Sequence, residues 1–242
     1  MDASTAASLD RWWAELFGLE PDEMWDSVTV TPHGRLQGYP GWYVAWRAAG
    51  VHVSAPGPSA AEEVASFTEL SPHELQDVAF WDAFAHQHGL VLVGPSTHAY
   101  LDRDPGPDLS AELVDGHGVA LVGPAALADL RAQVTEEEWS EAGFDEEPET
   151  CFGLRQGGAL VAAANLTDWD GTPRDVGVLV SPAARGRGLA EVVGRHAASW
   201  SVRRHGLARW TARTTNIASV RTAERLGFTP YVTQLALSPV GD

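Results

Sequence analysis

One run in the C-terminal half constrains the fold most, VGVLVSPAARGRGLAEVV at Val176–Val193. Val176 to Val180 is a short apolar run of strand character. Ser181-Pro182 turns it into a Gly/Arg loop, Arg185-Gly186-Arg187-Gly188. Leu189, Val192, Val193 and His196 then recur at helical spacing. A strand, a glycine loop and a helix start in this order make an anion site. Glycine lets the backbone approach closely, and the first N–H groups of a helix have no intrahelical acceptor and point at whatever binds there. Two arginines beside such a loop favour phosphate over carboxylate.

Charge places this run in context. The net charge of −17 argues against general nucleic-acid binding. All 16 basic residues are arginine, and they are not spread evenly. Residues 1–122 hold 4 Arg against 18 acids (−14), and residues 123–173 hold 2 against 11 (−9). Residues 174–242 hold 10 against 4 (+6), so the basic stretch of an acidic chain is the one with the glycine loop. At 242 residues, 44% hydrophobic and 20% charged, the composition is globular and long enough for two ordinary domains. No apolar run approaches the roughly 18 residues that cross a bilayer. Met1-Asp-Ala-Ser-Thr5 lacks the order of a signal peptide. The single cysteine, Cys151, rules out an internal disulfide and a cysteine-based zinc cage. The expectation is a soluble, cytoplasmic protein with no metal, no membrane partner and no nucleic-acid partner.

In the first hundred residues the pattern predicts helices over 4–17 (capped by Ser4 or Thr5), after Pro21 through Trp25, over Ala60–Phe67, from Ser71 to Val78, and over Phe80–His88. Strands are expected at Val28–Thr31, Gly41–Arg47, Val51–Ser54, Leu90–Val93 and His98–Leu101. The histidines here lack the i, i+4 pairing of a helical metal site, and the tryptophans read as core. Asp102–Asp108, rich in Pro and Gly, reads as a linker. Beyond it come a strand at His117–Val122, a helix at Pro124–Val134, and a helix opened by the Thr135-x-x-Glu138 capping box. An acidic loop at Phe144–Glu149 follows, then strands at Thr150–Arg155, Gly158–Asn165 and Arg174–Val180. A helix at Leu189–His205, a strand at Leu207–Arg213, a helix at Ile217–Leu226 and a strand at Tyr231–Leu237 complete the chain. The fold class is α/β (α+β), a mixed and mostly antiparallel sheet flanked by helices, with an N-terminal α+β domain over 1–110 and a second domain over 114–242.

The loop resembles motif A of the GNAT superfamily, acyl-CoA-dependent N-acyltransferases, whose pattern Arg/Gln-x-x-Gly-x-Gly/Ala is filled by Arg185, Gly188 and Ala190. Asn216-Ile-Ala-Ser-Val-Arg-Thr-Ala-Glu-Arg-Leu-Gly-Phe228 resembles motif B, in which an asparagine begins the last helix and Gly-Phe closes it. The element order from about residue 115 onward is that of the GNAT fold. The layout looks like that of a bacterial subgroup with a tryptophan-rich N-terminal extension. A faint echo of Val178–Pro182 in Val51–Pro56 leaves open a degenerate second copy in residues 1–110.

The resemblance implies a coenzyme A thioester, acetyl-CoA, as cosubstrate, a small-molecule or peptide amine as acceptor, and room for a homodimer. It assigns the thioester carbonyl to the backbone amides of Leu179 and Val180, and the pyrophosphate to Arg185, Gly186, Arg187, Gly188, Leu189 and Ala190. Asn216 would hold the pantetheine arm or a catalytic water, and Ser219 would face the cosubstrate. Many members place a tyrosine, proposed to protonate the leaving thiolate, where this chain has Ala223. That leaves a water or no acid. Asp175 and Glu141 are the candidate bases, each also readable as a solvated surface acid. The acidic run Glu136–Glu138 and Asp145–Glu147 suits a cationic acceptor, or simply a solvated face. The expected function is N-acetyl transfer through a ternary complex. The alternatives are a non-catalytic acyl-CoA-binding sensor or a structural module.

Overall fold

The computed structural model describes residues 1–106, 118–146, 148 and 150–240. In chain order its elements are α1 (Ala3–Phe17), β1 (Val28–Pro32), β2 (Trp42–Arg47), β3 (Gly50–Ala55), α2 (Pro58–Glu63), α3 (Pro72–Gln76), α4 (Val78–His88) and β4 (Leu90–Leu101). They continue as β5 (Ala120–Leu121), α5 (Pro124–Arg131), α6 (Glu136–Glu141), β6 (Thr150–Gln156), β7 (Ala159–Asp168) and β8 (Pro173–Val180). The last are α7 (Leu189–His205), β9 (Ala208–Arg213), α8 (Ile217–Leu226) and β10 (Thr229–Pro239).

Several boundaries differ from the sequence expectation, each for a local reason. Asp2, not Ser4 or Thr5, caps α1, because Asp2 has the extended backbone of a cap and its carboxylate accepts from Thr5 N–H at 2.8 Å. That bond leads in holding the Asp2 carboxyl below its ordinary range. The helix expected after Pro21 is one 3-10 turn, Pro21–Glu23, ended by the extended backbone of Met24, and Trp25 beyond it has a left-handed φ of 57°. The helix expected over Ala60–Phe67 is α2 followed by a 3-10 turn at Ala65–Glu69. β4 is one strand where two were expected, since Pro95 keeps its carbonyl in use and accepts from Thr214 N–H at 2.9 Å. Of the strand expected at His117–Val122 only Ala120–Leu121 pairs, and His117 lies outside the described residues. Pro107, Asp108, Glu147, Glu149 and the expected domain limits at 110 and 114 lie outside them as well. The described part of the expected linker is held in place. Asp104 accepts from Ser199 at 2.5 Å, and Arg195 donates to the Pro105 carbonyl at 3.0 Å.

The chain divides into two compact units. The first is Asp2–His98 with Arg213–Thr215 and Tyr231–Asp242; the second is Met1, Ala99–Ala212 and Asn216–Pro230. The sequence grouped the last strand with the C-terminal segment, whereas Tyr231 onward counts with the first unit. The reason is pairing, because β10 runs antiparallel to β2 from Thr233↔Trp46 to Leu237↔Trp42. In this unit β2 and β3 form a hairpin and β1 lies parallel to β3. Trp42, Val44, Val53, Leu235 and Leu237 meet Leu75 and Trp81 in its core. Full burial of each such side chain contributes about 1.5–3 kcal/mol.

The second unit carries the strand order β5-β6-β7-β8-β9. The β6–β7 and β7–β8 pairs are antiparallel, and β8 and β9 are parallel. Strand alternation sends the side chains to two faces. Leu154, Ala162, Ala164, Val176 and Trp210 pack under Leu189, Val193 and Ala197 of α7. Leu160, Ala163 and Leu179 pack under Leu127 and Leu130 of α5. One sheet thus has a helix layer on each face, with α7 over one side of β8 and the end of α6 over the other.

Candidate active site

The site begins where β8 and β9 part. Their parallel register is Asp175↔Arg209, while toward the loop β8 continues its ladder on the other side with β7, through Ala163↔Leu179 and Ala162↔Val180. Separation of two parallel strands turns the outward amides of the β8 end toward a gap. Past Val180 the chain makes a 3-10 turn at Pro182–Ala184 over the buried Ser181 and enters the glycine loop. Gly186 and Gly188 have φ of 75° and 77°, a conformation glycine adopts without the steric cost a side chain brings. Gly188 is the N-cap of α7. A Cβ on either glycine would meet nothing within 4 Å, so the loop faces open space. The amides of Leu189 and Ala190, in the first turn of a 17-residue helix, end at that space.

Both loop arginines are tied to neighbouring elements. Arg185 Nε donates to the Val180 carbonyl at 3.2 Å, and its guanidinium meets Glu138 of α6 at 2.7 Å. Arg187 donates to Gln156 at the end of β6 at 2.9 Å. Glu138 closes the capping box of α6, and the Thr135 backbone N–H, followed by Arg185, holds its carboxyl below the ordinary range.

Asn216 caps α8. Its Oδ1 accepts from Ser219 N–H at 3.1 Å, and its Nδ2 donates to Glu141 of α6 at 3.2 Å. The structure thus brings together two residues far apart in sequence that were each singled out. Ser219 instead turns its hydroxyl to Trp210, accepting from the indole N–H at 3.0 Å. Asp175 is spoken for as well, since its carboxylate takes Arg209 at 3.1 Å and Thr211 at 3.5 Å. It sits at the root of the strand opening as one half of an ion pair, which weighs against a free base. Ala223 is buried. Tyr231, the nearby phenol, belongs to the other unit, where it donates to Asp10 and stacks under Arg47 at 4.2 Å.

Sequence reasoning named Glu138 only in the capping box and the acidic run, not as a partner of Arg185, and it missed Gln156 and Asn165. A polar amide inside an alanine-rich strand was the signal for Asn165. Nothing marked Gln156.

A parallel strand pair that opens onto a glycine-capped helix defines an α/β domain with an open loop at a helix start. Residues 124–228 match the model of the Acetyltransferase (GNAT) family. Among solved structures, a GNAT-family protein from Novosphingobium aromaticivorans is 21% identical, with 62% of this chain and 68% of that one covered and a TM-score of 0.47. A GCN5-related N-acetyltransferase from Kribbella flavida is 24% identical, with 66% and 64% covered and a TM-score of 0.47. A Drosophila protein is 16% identical over 86% of this chain and 77% of its own, at a TM-score of 0.51. No curated protein matches. Over residues 124–228 the chain is thus similar to the GNAT acetyltransferase family, and its mixed α/β architecture is consistent with that fold.

Proposed function

We propose that this chain is an acyl-CoA-dependent N-acyltransferase that moves acetyl from acetyl-CoA to an amine by direct transfer in a ternary complex. The observation that carries the reading is the open glycine loop at the mouth of the β8–β9 gap, in the chain's basic segment. The amides of Leu189 and Ala190, with Arg185 and Arg187, would hold the pyrophosphate. The Val180 backbone N–H, on the β9 side of β8, would donate to the thioester oxygen as charge grows there, an interaction strongest in the transition state, whereas the register Ala163↔Leu179 turns the Leu179 N–H toward β7. Glu141, fixed by Asn216, would take the amine's proton as the C–N bond forms and the C–S bond breaks. With Ala223 in place of a phenol, the departing thiolate takes its proton from solvent. We assign residues 114–242 to the acyltransferase part and residues 1–110 to an N-terminal α+β part. The N-terminal echo of the pre-loop strand is the basis for reading the latter as a degenerate copy.

A second reading has one specific support. Ala223 is buried, and the Tyr231 hydroxyl is committed to Asp10, so neither position offers the leaving group a proton donor. This favours a non-catalytic acyl-CoA sensor. A thiol-release screen of acetyl-CoA against a panel of amines decides between the two. Release that depends on the amine, and that falls with Glu141→Gln, supports the enzyme. Tight binding without release supports the sensor.

A further inference from the structure

We propose that Asn165 is a positioning residue that latches the C-terminal end of α6 onto the sheet and so sets the Glu141 carboxylate. Its effect on rate rests on the acyltransferase reading, and the latch itself rests on geometry. α6 spans six residues, none of them buried, and its apolar anchor is Trp139, half-buried against Phe144, which leaves the end carrying Glu141 to be fixed by other means. The carbonyls at a helix end lack intrahelical donors. Here one side chain supplies them. Asn165, with no exposed surface, donates Nδ2 to the Ala142 carbonyl at 3.1 Å and the Gly143 carbonyl at 3.0 Å. Its Oδ1 accepts from Gly177 N–H at 2.9 Å, which ties the same amide to β8.

The floor under this latch is equally specific. A Cβ on Gly177 would lie 1.9 Å from the Ala142 carbonyl oxygen, so only glycine lets the α6 end rest on β8. Gly143 takes the left-handed φ of 68° that ends the helix, close over Thr167. Glu141 directly precedes these anchored carbonyls and reaches Asn216 at 3.2 Å. Asparagine is disfavoured in strands, and β7 gains nothing from it as a strand former. The position of Glu141 is what it serves.

Hydrogen exchange tests the latch without turnover. In Asn165→Ala and Gly177→Ala, exchange of the α6-end amides should rise about tenfold or more, with the α7 amides unchanged. Acetyl-CoA affinity by calorimetry should stay within about twofold, and kcat for amine transfer should fall about 30-fold. Combining Asn165→Ala with Glu141→Gln should cost nothing beyond Glu141→Gln alone, because both act through one carboxylate. Unchanged α6 exchange in both variants overturns the latch. Rate losses that add to those of Glu141→Gln overturn its action through Glu141. If Asn165→Ala also loosens α7, Gly177→Ala decides by the same comparison, since it leaves the amide in place. Wild-type protein that binds no acetyl-CoA defeats the acyltransferase reading, while the exchange result still decides the latch.

Discussion

At Asn216 one side chain has two partners, the Ser219 amide and the Glu141 carboxylate, and substitution separates them. Asn216→Ala removes the cap and should lower unfolding free energy by about 1 kcal/mol. Asn216→Ser keeps a cap but cannot reach Glu141, so it should recover most of that stability in urea denaturation without recovering amine-dependent thiol release. His52 gives a second residue-scale prediction. It is buried beside Phe17 and hydrogen-bonded to Thr29 at 2.7 Å. Burial, and then the charge of His33, lowers its pKa to about 3. The neutral ring is therefore the one that fits the fold. Its contribution is fully present above the unfolded value near 6.5 and is lost as pH falls from there toward 3, by about 1.4 kcal/mol per pH unit. Urea titrations at pH 6.5 and 5 should show this loss in the wild type and a smaller one in His52→Gln, in which the other histidines and the carboxylates still titrate.

Element by element, the parts set by local chemistry were legible in the sequence. α7 and α8 begin and end where glycine, asparagine and the helical period placed them, at Leu189–His205 and Ile217–Leu226. The Thr135 capping box and the β8-loop-α7 junction were readable for the same reason, because a few neighbouring residues specify each. What stayed hidden depends on pairing across the sequence. No local signal says that β10 lies against β2, that Asp175 is taken by Arg209, or that Glu141 meets Asn216. The Arg185–Glu138 link between loop and α6 belongs to this hidden group, and it carries a prediction. With Arg185 proposed to hold a phosphate, Glu138 would compete for the same guanidinium. Glu138→Gln keeps the capping box and should tighten acetyl-CoA binding about twofold to fivefold, in keeping with the modest strength of exposed ion pairs. In the Arg185→Ala background the same change should do nothing. Calorimetry on the four proteins closes that cycle.

For the whole molecule, the decisive property is charge placement. A chain of net charge −17 repels a polyanion at long range, and its basic C-terminal stretch must overcome this at the loop. Added salt screens both effects, but the close contacts at the loop lie within a Debye length of about 8–10 Å and the distant acids beyond it. Affinity should therefore fall only severalfold between low and moderate salt. The central claim is that the loop at Arg185–Ala190 holds an acyl-CoA. Its most direct test is calorimetric titration of acetyl-CoA into the wild type and Gly188→Trp, with circular dichroism to confirm that both are folded. Because a side chain at Gly188 would occupy the open face of the loop, the account predicts one site per chain in the wild type and none in the variant. Absence of binding to the wild type, or equal binding to both folded proteins, would contradict it.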